Sequence, residues 1–161
     1  SNDQKMAIRE IPLQMRRFYI QAYQSYIFNK TLSMAFEYDE DLFTPQENDV
    51  CYDRTNKLGK FQNETGQRLT VPLVGHSYFK KTRFDYYIQK ILEHEEVSPS
   101  EFLVKDFQEI SVEGGFRNSS ILCDSFKTSN GIIEFQLSRG SYATIIIREI
   151  LKPEDPLSCG F

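Results

Sequence analysis

Residue types and spacing show no self-contained active site and by themselves stop at a soluble α+β domain; the turn Gly140-Ser141-Tyr142 is compatible with a bound molecule but does not demand one. Glycine lets a backbone approach a ligand closely. A strand–Gly–Ser–helix start aims backbone N–H groups at one spot, which suits a carbonyl or phosphate oxygen. An aromatic ring on that turn, Tyr142, can stack on a planar base; an ordinary aromatic packed at a helix start is the other reading. Little else looks reactive. There is no glycine-rich phosphate loop, no GxSxG elbow and no carboxylate pair spaced for acid–base work. His76 and His94 stand alone, so neither a metal site nor a His-activated nucleophile is expected. Cys51, Cys123 and Cys159 are an odd number with no CxxC pairing, which reads as reduced thiols in a cytoplasmic protein.

The elements that must position that turn follow from hydrophobic period. Residues 6–36 read as one long helix whose regular part starts near Pro12. Met15, Phe18, Ala22 and Tyr26 form one stripe and Ile20, Tyr23, Ile27 and Met34 another, so burial on more than one face is expected. Residues 37–70 are polar and carry Pro45, Gly59 and Gly66; they read as an irregular or β-containing excursion with strands near 49–52 and 67–71. Phe84, Tyr87, Ile88, Ile91 and Leu92 keep helical spacing. Ser98-Pro99-Ser100-Glu101 starts a short helix with a capping box. Beyond Gly114-Gly115 the period becomes two. A strand over about 119–126, the turn signal Asn130-Gly131, and a second strand with Ile133, Phe135 and Leu137 on one face make a β-hairpin. Residues 142–151 fit a strand by β-branching and a helix by the stripe Ala143, Ile146, Ile147, Ile150 and Leu151, with Ser141 as a plausible N-cap. The class is α+β: a buried long helix and shorter helices with an irregular/β excursion, then a β-hairpin and a strand–turn–helix unit.

With 161 residues, 40% hydrophobic and 14% aromatic, the chain can bury a core, and no apolar run approaches bilayer length. A net charge of −4 speaks against a broadly basic RNA-binding surface, yet Arg16-Arg17, Lys57/Lys60 and Lys80-Lys81 are local basic spots.

Two stretches resemble motifs of TruD-type tRNA pseudouridine synthases. Ala22-Tyr23-Gln24-Ser25-Tyr26-Ile27-Phe28-Asn29 is similar to that family's helix motif. Arg139-Gly140-Ser141-Tyr142-Ala143-Thr144, with Ile147-Arg148-Glu149, is similar to its motif near the C-terminus. Between them, in the expected order, Val71-Pro72-Leu73-Val74-Gly75 resembles a Pro-Leu-x-Gly segment and Glu113-Gly114-Gly115-Phe116-Arg117 a Gly-Gly-x-Arg turn.

The resemblance implies isomerisation of uridine to pseudouridine in tRNA without a metal or organic cofactor. An aspartate breaks the glycosidic bond, and the detached base turns and reattaches through carbon. It implies residues 1–115 as an insertion domain and 116–161 as the last segment of the catalytic domain. Gly140, Ser141, Tyr142, Ala143 and Thr144 would then border the uridine pocket, and Arg16, Arg17, Asn29, Arg117 and Arg139 would be candidate RNA contacts. One of Arg16 and Arg17 would meet phosphate while the other snorkels over core side chains. The family's aspartate motif and its Asn-Tyr-Phe-Gly segment have no counterpart here. Asp53-Arg54-Thr55 is only a scrap of the former, and Asp53 reads equally as a turn residue. The chain by itself is therefore expected to carry no catalytic residue and to be inert, activity belonging to a complete parent protein. The alternative is a stand-alone, non-catalytic RNA-binding module. Expected partners are tRNA and no membrane, with self-association through an exposed strand at 132–137.

Overall fold

Pro12 splits what periodicity reads as one helix. In the computed structural model, which describes residues 2–78 and 82–160, α1 (Asn2–Glu10) ends before Ile11 and α2 (Leu13–Glu37) begins after Pro12. Pro12 has ψ 138°, outside the helical region, and its carbonyl accepts the first amides of α2, from Met15 at 2.9 Å and Arg16 at 3.1 Å. The basic pair Lys80-Lys81 lies outside the described residues.

One face of α2 is core. Gln24, Ile27, Phe28, Thr31 and Ala35 are buried, and this face packs against α3 (Asp85–His94) and β3 (Arg68–Leu73). The stripe Met15, Phe18, Ala22 and Tyr26 is exposed, against the expectation of burial on two faces. The stripe through Ile20, Tyr23, Ile27 and Met34 is the one that packs inward. The physical reason is coverage: the sheet and α3 pack over one side of α2, and the first stripe lies at the margin of that cover.

The excursion after α2 is β-structured. β1 (Val50–Tyr52), β2 (Leu58–Lys60), β3 and β4 (Gly115–Asn118) form an antiparallel sheet in the order β2-β1-β3-β4. Strands were expected at β1 and β3; β2 and β4 are additional. Arg83 holds the excursion's first half in place: its guanidinium reaches Glu40, the Asp49 carboxylate at 3.1 Å and the Asp41 carbonyl at 2.6 Å, and lies over the Phe84 ring. Asp49 is only 3% exposed, so this ion pair replaces water that the carboxylate has lost. α3 buries Tyr87, Ile88, Ile91 and Leu92 at the expected spacing. The short helix at Pro99–Phe102 is 3-10, and Glu101 reaches back to the Ser98 amide at 2.7 Å as the capping box requires.

The chain divides into two compact units, residues 1–120 and 121–161. The sequence places the changeover at 115/116. Residues 115–118 belong to the first unit because β4 is laddered to β3, with Val71 opposite Arg117. Ser119 continues that attachment, donating its amide to the Leu69 carbonyl at 3.0 Å and its hydroxyl to the Leu42 carbonyl at 2.6 Å. The hairpin's first strand therefore starts later than read.

In the second unit, β5 (Cys123–Ser129) and β6 (Ile132–Leu137) are joined at Asn130-Gly131, both at positive φ as a two-residue hairpin turn requires. Ile133, Phe135 and Leu137 are half-buried and Ile132, Glu134 and Gln136 exposed, the expected alternation. Residues 143–151 resolve as a helix, α4 (Ala143–Leu151), with Lys152 in the left-handed conformation at its end. None of the described residues in this unit is fully buried.

Candidate functional site

Gln24, Val74 and Gly114, which the sequence spreads over ninety residues, are brought together in the first unit. The Gln24 side-chain amide donates to the Val74 carbonyl at 2.7 Å, linking the α2 motif to the end of β3. Beyond β3 the chain runs against 112–113: the His76 amide donates to the Val112 carbonyl and the Ser77 amide to that of Glu113, each at 3.0 Å. Gly75 and Gly114 are pressed together there. A Cβ on Gly75 would sit 2.2 Å from the Gly114 nitrogen, and one on Gly114, at φ +97°, would sit 2.7 Å from the Leu73 oxygen. Both positions demand glycine by contact, which explains two of the motif glycines without invoking a ligand.

Arg117 on β4 turns back onto α2. Its guanidinium lies 5.0 Å from the centre of the Phe28 ring, and Nη1 is 3.4 Å from the Ser25 hydroxyl. No carboxylate among the described residues forms an ion pair with it. Between Arg117 and Phe18 runs an open groove of about 590 Å³, walled by Gln21, Ala22 and Ser25 on one side and Val112–Gly114 on the other. The exposed stripe of α2 that sequence reading assigned to the core supplies Phe18 and Ala22 to this wall.

The other arginines of the first unit differ. Arg16 pairs with Glu109 at 2.8 Å, donates to the Ile11 carbonyl at 3.0 Å and lies 5.6 Å from the Phe107 ring centre. Arg17 is more exposed and donates Nε–H to the Glu109 carbonyl at 2.9 Å. Arg16 thus has the core-covering posture expected of one member of the pair. Asn29 is exposed on α2. On the same helix Tyr23 stacks with Tyr26 and with Phe102, and the Tyr26 hydroxyl donates to Glu95 at 2.9 Å. That hydroxyl, with Lys30, holds the Glu95 carboxyl below its ordinary range.

In the second unit, Gly140 sits at φ +89° with open space where a Cβ would be, so backbone conformation rather than crowding calls for glycine. The Ser141 amide donates to the Ser138 carbonyl at 3.1 Å. Tyr142, not Ser141, occupies the N-cap of α4, in extended conformation and with no side-chain cap. The helix's first amides therefore lack the hydroxyl that sequence reading offered them. Tyr142 is 73% exposed; Arg139, Ala143 and Thr144 are exposed beside it in sequence.

Asp53 is a turn residue. Its Oδ1 accepts from the Thr55 hydroxyl and amide at 2.7 Å each and from the Lys57 amide at 2.9 Å, and these bonds, the hydroxyl foremost, hold its carboxyl below its ordinary value. Among the described residues no group of three or more His, Cys, Asp or Glu could hold a metal ion, and no helix is long and apolar enough to cross a membrane.

The model of the family "tRNA pseudouridine synthase D (TruD)" matches residues 1–150. Among curated proteins, one named "Probable tRNA pseudouridine synthase D" from Pyrobaculum islandicum is 34% identical over 159 residues, covering 96% of this chain and 38% of its own length. A protein of the same name from Methanococcus maripaludis is 33% identical over 156 residues, covering 91% and 34%. A crystal structure from Methanosarcina mazei whose description names tRNA pseudouridine synthase D (TruD) superposes with a TM-score of 0.75 at 27% identity, covering 96% of this chain and 42% of that one. The chain spans about two fifths of the length of the relatives it matches.

Proposed function

This chain belongs to the tRNA pseudouridine synthase D (TruD) family, and from that membership we propose that it acts as part of an enzyme isomerising uridine to pseudouridine in tRNA. In this reading residues 1–115 are the insertion domain and residues 116–161 the last segment of the catalytic domain. The reaction breaks the bond from the ribose C1′ to uracil N1, turns the base, and joins C1′ to C5. N1 gains a proton and C5 loses one, so the change is an isomerisation and needs no redox partner. The aspartate that initiates it comes from the remainder of the parent protein, and the 161-residue chain alone is inert.

This chain's own part is to hold RNA and base. Tyr142 stacks on the uracil that has left the helical stack. The amides at the start of α4, reached closely past Gly140 and Ser141, face a uracil carbonyl, with Ala143 and Thr144 bordering the pocket. In the first unit Arg117, Arg17 and Asn29, with Arg16 held at Glu109, and in the second unit Arg139, meet phosphate or base edges. The enzyme works in the cytoplasm.

The observation that carries the reading is the exposed Tyr142 ring at 73%, standing on an uncapped helix start beside a positive-φ glycine. The test separates base from phosphate in the complete protein. Tyr142→Ala should lower kcat on a tRNA transcript, whereas Arg139→Gln should raise KM with kcat retained. Two variants indistinguishable from wild type would overturn the assignment.

A further inference from the structure

The groove along α2 lies within the first unit, separate in sequence from the Tyr142 turn, and has the parts of a nucleotide site. Phe18, Gln21, Ala22 and Ser25 fall at i, i+3, i+4 and i+7, so they share one face and run for two turns, roughly 10 Å at 1.5 Å per residue. An aromatic ring stands at one end, 59% exposed. At the other end is the Arg117 guanidinium, placed by the Phe28 ring and the Ser25 hydroxyl and paired with no carboxylate among the described residues. Ala22 keeps the middle open, and the volume of about 590 Å³ is within the range of roughly 300–1,000 Å³ usual for small-molecule sites. Gln21 and the Glu113 carboxylate supply a donor and acceptors along the walls.

We propose that this groove takes one unpaired nucleotide of the RNA other than the uridine being isomerised, its base against Phe18 and its phosphate on Arg117. The proposal rests on the RNA-modifying role proposed above. It explains why a helix buried on one side keeps Phe18 exposed on the other, and why Arg117 is positioned without an acid. One guanidinium and one carboxylate give the groove little net field, so stacking and shape hold the base. Binding is then only weakly salt-dependent, with a slope of log affinity on log salt near −0.7 for one phosphate.

The test uses the 161-residue chain and a short single-stranded oligouridylate carrying one photoreactive 5-bromouridine and a fluorescent end. Irradiation should place the adduct on the α2 peptide containing Phe18, and Tyr142→Ala should leave that adduct in place. By fluorescence anisotropy, Phe18→Ala should weaken binding roughly 5- to 150-fold, the span measured for losing one base–aromatic stack. Arg117→Gln should also weaken it and flatten the salt slope, while Phe18→Tyr should bind as wild type. No adduct on the Phe18 peptide, equal affinities, or no binding by the wild-type chain would overturn the groove. None of these touches the uridine-pocket reading, which is judged by turnover of the complete protein with Tyr142 replaced.

Discussion

The Gln24 amide and the Val74 carbonyl meet at 2.7 Å in the interior, with Gln24 8% and Val74 1% exposed. This bond fastens the helix that carries the groove to the end of β3, from which the paired glycines follow. Gln24→Leu fills much of the same space but leaves the carbonyl without its donor. A buried acceptor so orphaned costs about 1–3 kcal/mol. Urea denaturation of the chain should show that loss; a change below about 0.5 kcal/mol would mean the bond does not hold the helix.

Gly75→Ala puts a Cβ 2.2 Å from backbone at Gly114, where nothing can move without separating two laddered segments. The expected destabilisation exceeds about 3 kcal/mol, in the range of severe overpacking. Gly59→Ala on exposed β2 meets nothing within 4 Å and should stay within about 0.5 kcal/mol of wild type. Thermal melts of the two variants check both, and similar melts would contradict the crowding.

Much of this arrangement was legible in sequence, and what was not has physical causes. α3 and the hairpin were readable because one keeps strict 3.6-residue spacing and the other has Asn130-Gly131 between alternating strands. β2 and β4 are three and four residues long, too short to show alternation, and β4 begins inside a Gly-Gly pair that reads as a turn. For 142–151 local preference was balanced, and the segment forms a helix, α4, that buries no residue fully. The groove was misread for a different reason. Phe18 and Ala22 have the composition of a core stripe, and sequence cannot say which of two apolar stripes the sheet will cover. Gln24 was quoted within the motif but given no role. Its signal was a long polar side chain in helical register with Ile27, Phe28, Thr31 and Ala35.

Cys51 lies fully buried in β1, and burial, reinforced by the Asp49 carboxylate, pushes its thiol from 9.0 up to about 11. The unfolded chain therefore loses this proton before the folded one does. Stability should fall as pH rises from about 9 to about 11, with this thiol contributing at most about 1.4 kcal/mol per pH unit. Comparing denaturation of wild type and Cys51→Ala across that window isolates the contribution. Iodoacetamide should label exposed Cys159 long before Cys51 in the native chain. Equal pH slopes, or early labelling of Cys51, would contradict this.

The second unit leaves Ile132 62%, Leu151 61% and Leu157 85% exposed and buries no described residue fully. Apolar surface of that kind, beside a hairpin with open edges, favours pairing with another copy. Light scattering on the chain by itself should give a mass above 18.9 kDa that rises with concentration. Leu151→Lys should lower it. A constant monomer mass together with slow amide exchange in β6 and α4 would contradict the expectation.

Tritium release from a tRNA transcript labelled at uracil C5 reports the proposed isomerisation itself, because forming the new carbon–carbon bond there expels that hydrogen. With the complete protein, release should keep step with pseudouridine formation. Tyr142→Ala should lower the rate roughly 5- to 150-fold, as expected for losing about 1–3 kcal/mol of base stacking, with no change in melting temperature. Absence of release by the complete protein, or an unchanged rate in the variant, would contradict it.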